Sequence, residues 1–522
     1  MRAMRLFLVG LLAGGVAVGA SFVLRVLFNT AYLPELASST VFSLIPGFLE
    51  SRAVESLGPL AKDSTFVVAS VVNAVVLGLI PVVLQRFGRM PKDHLRVSAV
   101  FAVAPYAIMM ALGILFLSVT QVSTQPIGLG LLALSLLVPS FVFGAILGRV
   151  NLRPGPSGPA PPLFPMERAK GRFSRKRRLF LQSAVGAAAG AVILYYGIGF
   201  LFPKQSPLLP SNEASQILAA QVTPNDQFYR VDINVIAPSV DLNSWRLNIH
   251  GLVNNPTILD FNGLKALPSV EEYATLECVS NEVGGDLMST ALWKGVRLRD
   301  LLNSAGVGSG ADYVVFTCFD GYDVGIPLEK AMADGTILAY EMNGVTLPQE
   351  HGYPIRAIVP GLYGMMNAKW INDIEIVSGV HAGFWQRRGW TNTAAYQTGS
   401  TIITPGDSAL RDRFSLPSSL TDVAGSPIAV TGVAFAGDRG IQKVEVSTDR
   451  GGTWQSASLY DPLSKYTSVF WKFEWNPPSS GNYFIMVRAT DGNGRVQTAT
   501  MADPYPDGAT GIQVVDVKVQ ST

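Results

Sequence analysis

Cys278 is one of only two cysteines in 522 residues, and it stands between a strand-like run and a glycine turn in YATLECVSNEVGGDLM (273–288). A thiolate is a soft ligand that suits a high-valent metal and helps to set its geometry and potential. The bland alternative is a buried structural thiol, a common fate of a free cysteine; Cys318, inside the apolar run ADYVVFTCF (311–319), is read that way. Two cysteines cannot form a four-cysteine zinc site or hold an iron–sulfur cluster alone, and a Cys278–Cys318 disulfide stays open for an exported domain. Further on, HGYPIR sets His351 and Arg356 five residues apart, and Lys369 precedes Trp370. Taken singly, His351 as an ordinary loop histidine and Lys369 as a solvated charge are the simpler readings.

The elements that must position these residues fall into two kinds of text. From 203 to about 410, strand-like runs such as SWRLNIHGLV (244–253) alternate with helical stretches such as LRDLLNSAG (298–306), the pattern of an α+β domain. From about 424 onward, alternating strands are punctuated by DRGG (449–452) and DGNG (491–494), whose residues tolerate positive φ. About 100 residues with some seven strands predict an immunoglobulin-like β-sandwich, a module that binds or dimerises more often than it catalyses.

The first 202 residues are different in kind. They hold 18 Lys or Arg against 6 Asp or Glu, whereas residues 203–522 hold 22 against 32. A basic half and an acidic half thus lie behind a near-zero net charge, and the acidic half carries no clustered positive charge for nucleic acid. Five apolar segments, near 5–28, 65–85, 97–118, 126–148 and 180–202, have the length of a bilayer span. Basic residues crowd the links 86–96 (four) and 149–179 (nine), which places the N-terminus and both links in the cytoplasm and everything after 202 outside. The second link joins a spacer with six prolines (151–165) to SRKRRLFLQSAVGAAAG (174–190). Its Arg177-Arg178-x-Phe180-Leu181 order resembles a twin-arginine export signal; the plainer reading is positive-inside arginines. No histidine lies in any span and C-x-x-C-H is absent, so no haem is expected. The helices read as an anchor in the lipid bilayer, with a quinone or partner surface as the lesser reading.

Four passages in order, QFYRVD (227–232), the Cys278 stretch with STALWKGVRLRDLL (289–302), YEMNGVTLPQEHGYPIR (340–356) and VPGLYGMMNAKW (359–370), resemble the sulfite oxidase family of molybdenum-cofactor enzymes. IAVTGVAFAG…VEVSTDRGGTW (428–454) is similar to that family's second domain, and together the resemblance covers about three-fifths of the chain. It implies that Cys278 gives molybdenum its single protein sulfur, the other sulfurs coming from the pterin dithiolene of a Mo-molybdopterin cofactor. It also implies a pterin contact set of Phe228, Tyr229, Arg230, Val231, Asp232, Cys278, Asp320, His351, Arg356, Asn367, Ala368 and Lys369. Arginine would offer the cofactor phosphate a bidentate fork and lysine a point charge. The expected organisation is a four-helix transmembrane region (1–150), a basic linker with a fifth helix (151–204), a molybdopterin domain (205–410) and an immunoglobulin-like dimerisation domain (411–522).

Departures from the family pattern bear on substrate. The stretch after Cys278 reads Val279-Ser280-Asn281-Glu282-Val283, so Val283 stands where the family's sulfite-binding arginine is expected. Trp390 stands for an active-site tyrosine, Met366 for another arginine, and Arg230 alone survives from the anion-binding set. Each lost charge-assisted hydrogen bond forfeits about 1.5–3 kcal/mol. The expectation is therefore a multi-pass, extracytoplasmic molybdenum oxidoreductase with Arg230, Cys278 and Trp390 in the active site, acting by two-electron oxygen-atom transfer on a small molecule less anionic than sulfite. Its electrons would pass to a quinone or a separate cytochrome, and the second domain implies a homodimer. Reduction of S-oxides or N-oxides is the alternative chemistry, and a non-catalytic membrane receptor or scaffold the alternative class.

Overall fold

The computed structural model describes residues 2–28, 30–44, 60–87, 94–119, 129–149, 221–234, 237–405 and 427–519. The chain divides into a helical unit within residues 1–205 and a β-rich unit made almost wholly of residues 206–522.

Helices α1 (Arg2–Phe28), α2 (Leu33–Leu44), α3 (Leu60–Phe87), α4 (His94–Val119) and α5 (Leu129–Arg149) make up the described part of the first unit. All but α2 are long and apolar enough to cross a membrane, over Leu6–Arg25, Phe66–Leu84, Leu95–Phe116 and Leu132–Arg149. Small residues let them pack closely. A Cβ at Gly14 of α1 would come within 2.8 Å of the Ala74 carbonyl of α3, and one at Gly144 of α5 within 2.4 Å of the Ser98 carbonyl of α4. The 12-residue α2 was not expected, because hydropathy windows sized for a span pass over an apolar helix too short to cross. The expected fifth span and the twin-arginine-like run lie outside the described residues.

The β-rich unit has two parts. In the first, one sheet runs β2 (Thr257–Leu259), β1 (Leu247–Gly251), β10 (Ile371–Val377), β5 (Tyr313–Cys318), β6 (Asp323–Pro327). The other runs β3 (Ser269–Glu277), β4 (Met288–Arg297), β7 (Ile337–Met342), β8 (Val345–Thr346), with β9 (Arg356–Ile358) on β7. Short helices α6 (Phe261–Lys265), α7 (Leu298–Ala305) and α8 (Leu328–Ala331) connect them. Gly306, in the left-handed region at φ 68°, terminates α7, which buries Leu298, Leu301, Leu302 and Ala305. The core around β3, β4 and β7 is built on Trp293, Phe228 and Leu276.

The second part is a two-sheet sandwich. One sheet runs β11 (Gly399–Thr404), β12 (Ile428–Phe435), β16 (Val469–Trp475), β15 (Ser458–Leu459). The other runs β14 (Gln455–Ser456), β13 (Ile441–Ser447), β17 (Gly481–Asp491), β18 (Val514–Val519). Val430 and Trp471 of the first sheet share one core with Val444, Val487 and Val517 of the second. Because Thr401 of β11 pairs with Val433 of β12, the sandwich begins by residue 399, earlier than the expected boundary at 411. The strand precedes the obvious run of alternating text, and only its pairing reveals it. Trp471→Ala should lower sandwich stability by about 3–5 kcal/mol, read by chemical denaturation, because the indole is 0% exposed and fills the shared core.

Candidate active site

Cys278 follows the last residue of β3, in the loop that leads to β4. Its N–H donates to Leu287 O at 2.9 Å and its carbonyl accepts from Asn281 N at 3.0 Å, which closes the loop on itself. Asn281 holds both sides. Its Oδ1 accepts from Leu287 N at 2.9 Å, and its Nδ2 donates to Glu277 Oε1 at 2.8 Å. Gly284, at φ 81°, makes the turn that a side chain would strain. The thiol is 6% exposed, lies 3.0 Å from Ser280 Oγ, and forms no disulfide; Cys318 is likewise a buried free thiol. The Cys278–Cys318 disulfide left open by the sequence is absent. Burial pushes the neighbouring Glu277 carboxyl up to about 7, with Asn281 opposing.

Two of the basic residues flank one tight turn. Gly352, at φ 118°, brings Arg356 and Lys369 to either side of itself: an added Cβ would meet the Cβ of Arg356 at 3.0 Å and that of Lys369 at 3.1 Å. Arg356 is 5% exposed, donates to the carbonyls of His351 (3.1 Å) and Asn367 (3.4 Å), lies over the Trp293 ring, and has no partner for Nε among the described residues. Burial pulls its guanidinium down to about 10. The His351 Nε2 is 2.7 Å from Asn225 O; a carbonyl only accepts, so Nε2 carries the proton. This imidazole is lowered to about 4, chiefly by burial and also by Arg356 and Lys369, while the Asn225 bond opposes. Lys369 donates to Asp232 Oδ2 (3.1 Å) and Val231 O (3.3 Å) beside the Trp370 ring, and burial brings it to about 8 against the pull of Asp232.

The remaining expected residues divide by role. Phe228 is a core residue, edge-on to both Trp293 and His351 and stacked with Tyr229. The Asn367 side chain is taken up internally, accepting from Val359 N and donating to the carbonyls of Leu362 and Tyr363. Ala368 is buried and its carbonyl accepts from Ala357 N. Asp320 accepts from Asn234 Nδ2 (2.6 Å) and Tyr322 N (3.0 Å), and burial raises it to about 6. Arg230 is half-exposed, with Nε 2.8 Å from the same Asp232 that binds Lys369. Trp390 is buried against Tyr505 at 5.2 Å, and its Nε1 has no partner among the described residues. Gln386 donates to Met366 Sδ and to Thr391 O, which ties Met366 to the loop that carries Trp390.

Two residue models match in sequence order: an oxidoreductase molybdopterin-binding domain over residues 234–385 and a Mo-co oxidoreductase dimerisation domain over 394–503. The sulfite oxidase of Arabidopsis thaliana is 31% identical over 301 residues, covering 49% of this chain and 74% of that one. The chain belongs to the sulfite oxidase family. It is an oxidoreductase, and the matched domain indicates the molybdenum cofactor. An uncharacterized oxidoreductase, YuiH of Bacillus subtilis, is 37% identical over 150 residues, 29% of this chain and 74% of the relative. The mitochondrial sulfite oxidase of Rattus norvegicus is 29% identical over 335 residues, 57% of this chain and 61% of the relative. The chain thus spans about three-fifths of that relative's length.

The residues fit the family's cofactor on physical grounds. Arg356 is a buried cation whose hydrogen-bond partners among the described residues are carbonyls, a state that an anionic group would relieve. Among the described residues no three His, Cys, Asp or Glu side chains cluster to hold a metal, so a metal on Cys278 would take its other ligands from the cofactor. Sequence reasoning missed Asn281, Ser280 and Glu277; Asn281 carried a signal, an amide beside a glycine turn, where side-chain amides often close loops. His351 should lower stability as pH falls from about 6.5 towards 4, because the unfolded imidazole takes a proton that the folded one refuses. Thermal melts from pH 4 to 8 should show that slope reduced in His351→Gln.

Proposed function

We propose that this chain is a membrane-anchored, extracytoplasmic molybdenum oxidoreductase that moves an oxygen atom, with two electrons, between water and a small sulfur-containing molecule less anionic than sulfite. The cofactor, when bound, supplies the oxygen-transfer and redox chemistry. Cys278 would hold the metal, and Arg356, His351 and Lys369 would hold the pterin and its phosphate. Asn281 keeps the cysteine loop closed, and its short span from β3 to β4 fixes where the sulfur points.

The substrate reading rests on one observation. Asp232, 3% exposed in its side chain, accepts from both Arg230 (2.8 Å) and Lys369 (3.1 Å). The one arginine kept from the anion-binding set is therefore already paired with a carboxylate, which it shares with Lys369, and Val283 and Met366 add no charge. Removing cations lowers affinity for a dianion more than for a neutral molecule. The sulfite oxidases among the relatives act on sulfite by name; here the pocket favours a sulfide or sulfoxide, with Trp390 as an apolar wall. The same lack of cations would also suit S-oxide reduction, whereas the dimerisation domain favours the oxidase branch.

Orientation follows from positive charge, with the N-terminus in the cytoplasm. Arg25 sits at the end of α1 that this places outside, and its pairing with Glu35 at 2.7 Å removes the objection of an outward cation. The proposed division is 1–150, 151–204, a molybdopterin domain from 205 and an immunoglobulin-like sandwich from 399, through which two copies would dimerise.

Metal analysis of the purified full chain should find about one molybdenum per chain, and Cys278→Ser should deplete it; a folded, metal-free wild type would sink the enzyme reading. In assays of sulfite, methionine sulfoxide, dimethyl sulfoxide and trimethylamine N-oxide, sulfite should show a high KM. Val283→Arg should lower that KM about tenfold or more, and a wild-type enzyme already saturated by micromolar sulfite would overturn the pocket argument.

A further inference from the structure

The segment that joins β17 to β18 forms an arm. Ala502 and Thr510 exchange backbone bonds at 3.0 and 3.2 Å across it, Thr510 Oγ1 donates to Thr500 O at 2.8 Å, and Gly508 N closes the tip on Pro504 O at 2.7 Å. The tip reads Pro504-Tyr505-Pro506-Asp507-Gly508. Each proline fixes its φ and has no N–H to satisfy, and Gly508 turns the chain at φ 89°, so Tyr505 stands on a stiff mount. The tip rests on the catalytic domain. Pro506 O accepts from Thr391 N at 3.2 Å, Asp507 O accepts from Gln397 Nε2 at 3.3 Å, and Gly508 lies so close to Tyr363 Oη that a Cβ there would overlap it.

Tyr505 itself meets the loop that carries Trp390. The two rings stand edge-on, with centroids 5.2 Å apart and planes at 78°, and the phenol oxygen sits where a side chain on Gly389 would be. A buried indole is usually oriented by a hydrogen bond from its N–H. Trp390 is 6% exposed, yet its Nε1 has no such partner among the described residues. On the catalytic side the loop is held by Gln386, whose Nε2 reaches Thr391 O at 3.3 Å and the Met366 thioether, a weak acceptor, at 3.4 Å. Neither bond touches the indole. What sets the angle of the ring, besides the packing of its own loop, is the contact with Tyr505, and that contact comes from the second domain.

We propose that Tyr505 is a positioning residue: it holds the Trp390 indole in one orientation and thereby makes the enzyme selective for small substituents on its sulfur substrate. The selectivity rests on the reading of Trp390 as an apolar wall; the positioning does not. A close-packed wall discriminates by size, because a small shift opens or closes room for a methylene group. With the phenol ring cut away, the indole gains room to recede towards the arm. A small substrate then loses its contact with the wall, and a bulky one gains space.

The test compares the full chain with its Tyr505→Ala and Tyr505→Phe variants, which should fold because Tyr505 lies outside the shared core of the sandwich. Hydrogen exchange read by mass spectrometry should be faster across residues 386–394 in Tyr505→Ala and unchanged at Cys278 and Asn281, whereas Tyr505→Phe, which keeps the ring, should match the wild type. With reduced viologen as electron donor, KM for dimethyl sulfoxide should rise about fivefold in Tyr505→Ala, which converts to about 1 kcal/mol. KM for the bulkier methyl phenyl sulfoxide should not rise, and kcat for both should stay level. Equal exchange at 386–394 in all three proteins would overturn the positioning, and an unchanged ratio of the two KM values would overturn the selectivity. A molybdenum-loaded wild type that turns over neither sulfoxide would overturn the pocket reading and with it the selectivity, leaving the positioning to stand or fall on the exchange data.

Discussion

Arg356 is almost wholly withdrawn from water, and among the described residues no carboxylate pairs with it. Burying an ion costs several kcal/mol even after relaxation, and carbonyl dipoles with one indole face recover only part of that. The surroundings nevertheless fix the guanidinium firmly. Gly352 allows the chain to double back without a Cβ, the His351 carbonyl takes one end of the fork, and the Asn367 carbonyl takes the other. Asn367 is in turn locked by three bonds of its own side chain. A charge held so rigidly without a carboxylate partner lowers the stability of the protein by itself and is arranged as an anion site would need it.

A second electrostatic decision is taken at Asp232. Were it neutral, Lys369 and Arg230 would add two cations to the same side of the domain. Instead one nearly buried carboxylate binds both. One region thus holds a cation with no carboxylate partner among the described residues, around Arg356, and another holds two cations that share a single carboxylate, around Arg230. This difference is what would let the proposed cofactor and a weakly charged substrate share one domain.

The sequence made some of this legible and concealed the rest for physical reasons. Cys278 stood out because thiols are scarce in the chain, and the four long helices because a span needs a continuous apolar run that nothing else mimics. His351, Arg356 and Lys369 were legible through the family pattern and not through their spacing. Partnership was invisible: nothing in RVD says that Asp232 binds two cations, and nothing in residues 25–35 says that Arg25 and Glu35 meet. Strand β11 escaped because a strand recognised by alternation is short here and is defined by its partner β12. Trp390 was assigned to the pocket from the family alone, and the structure adds that its ring rests on Tyr505, 115 positions away along the chain.

That contact belongs to a wider arrangement in which the sandwich helps to hold the cysteine loop. Thr275, three residues before Cys278, donates through its N–H to Tyr466 O at 3.0 Å, and its hydroxyl accepts from Ser468 N at 2.9 Å. The Glu277 N–H donates to Tyr396 Oη at 3.2 Å. On the far side of the loop a Cβ on Gly284 would come within 2.7 Å of Gln513 Nε2, so the sandwich lies in contact with the turn. Strand β3 thus reaches the cysteine already fixed by hydrogen bonds from the second domain, and the turn beyond it is bounded by the same domain. A ligand sulfur must be held to within a fraction of an ångström to control a metal's geometry, and a hairpin loop fixed only by its own hydrogen bonds is a poor support for that. The sandwich supplies the stiffness on two sides, so its presence beside the catalytic domain has a mechanical reason within a single chain, separate from any second copy.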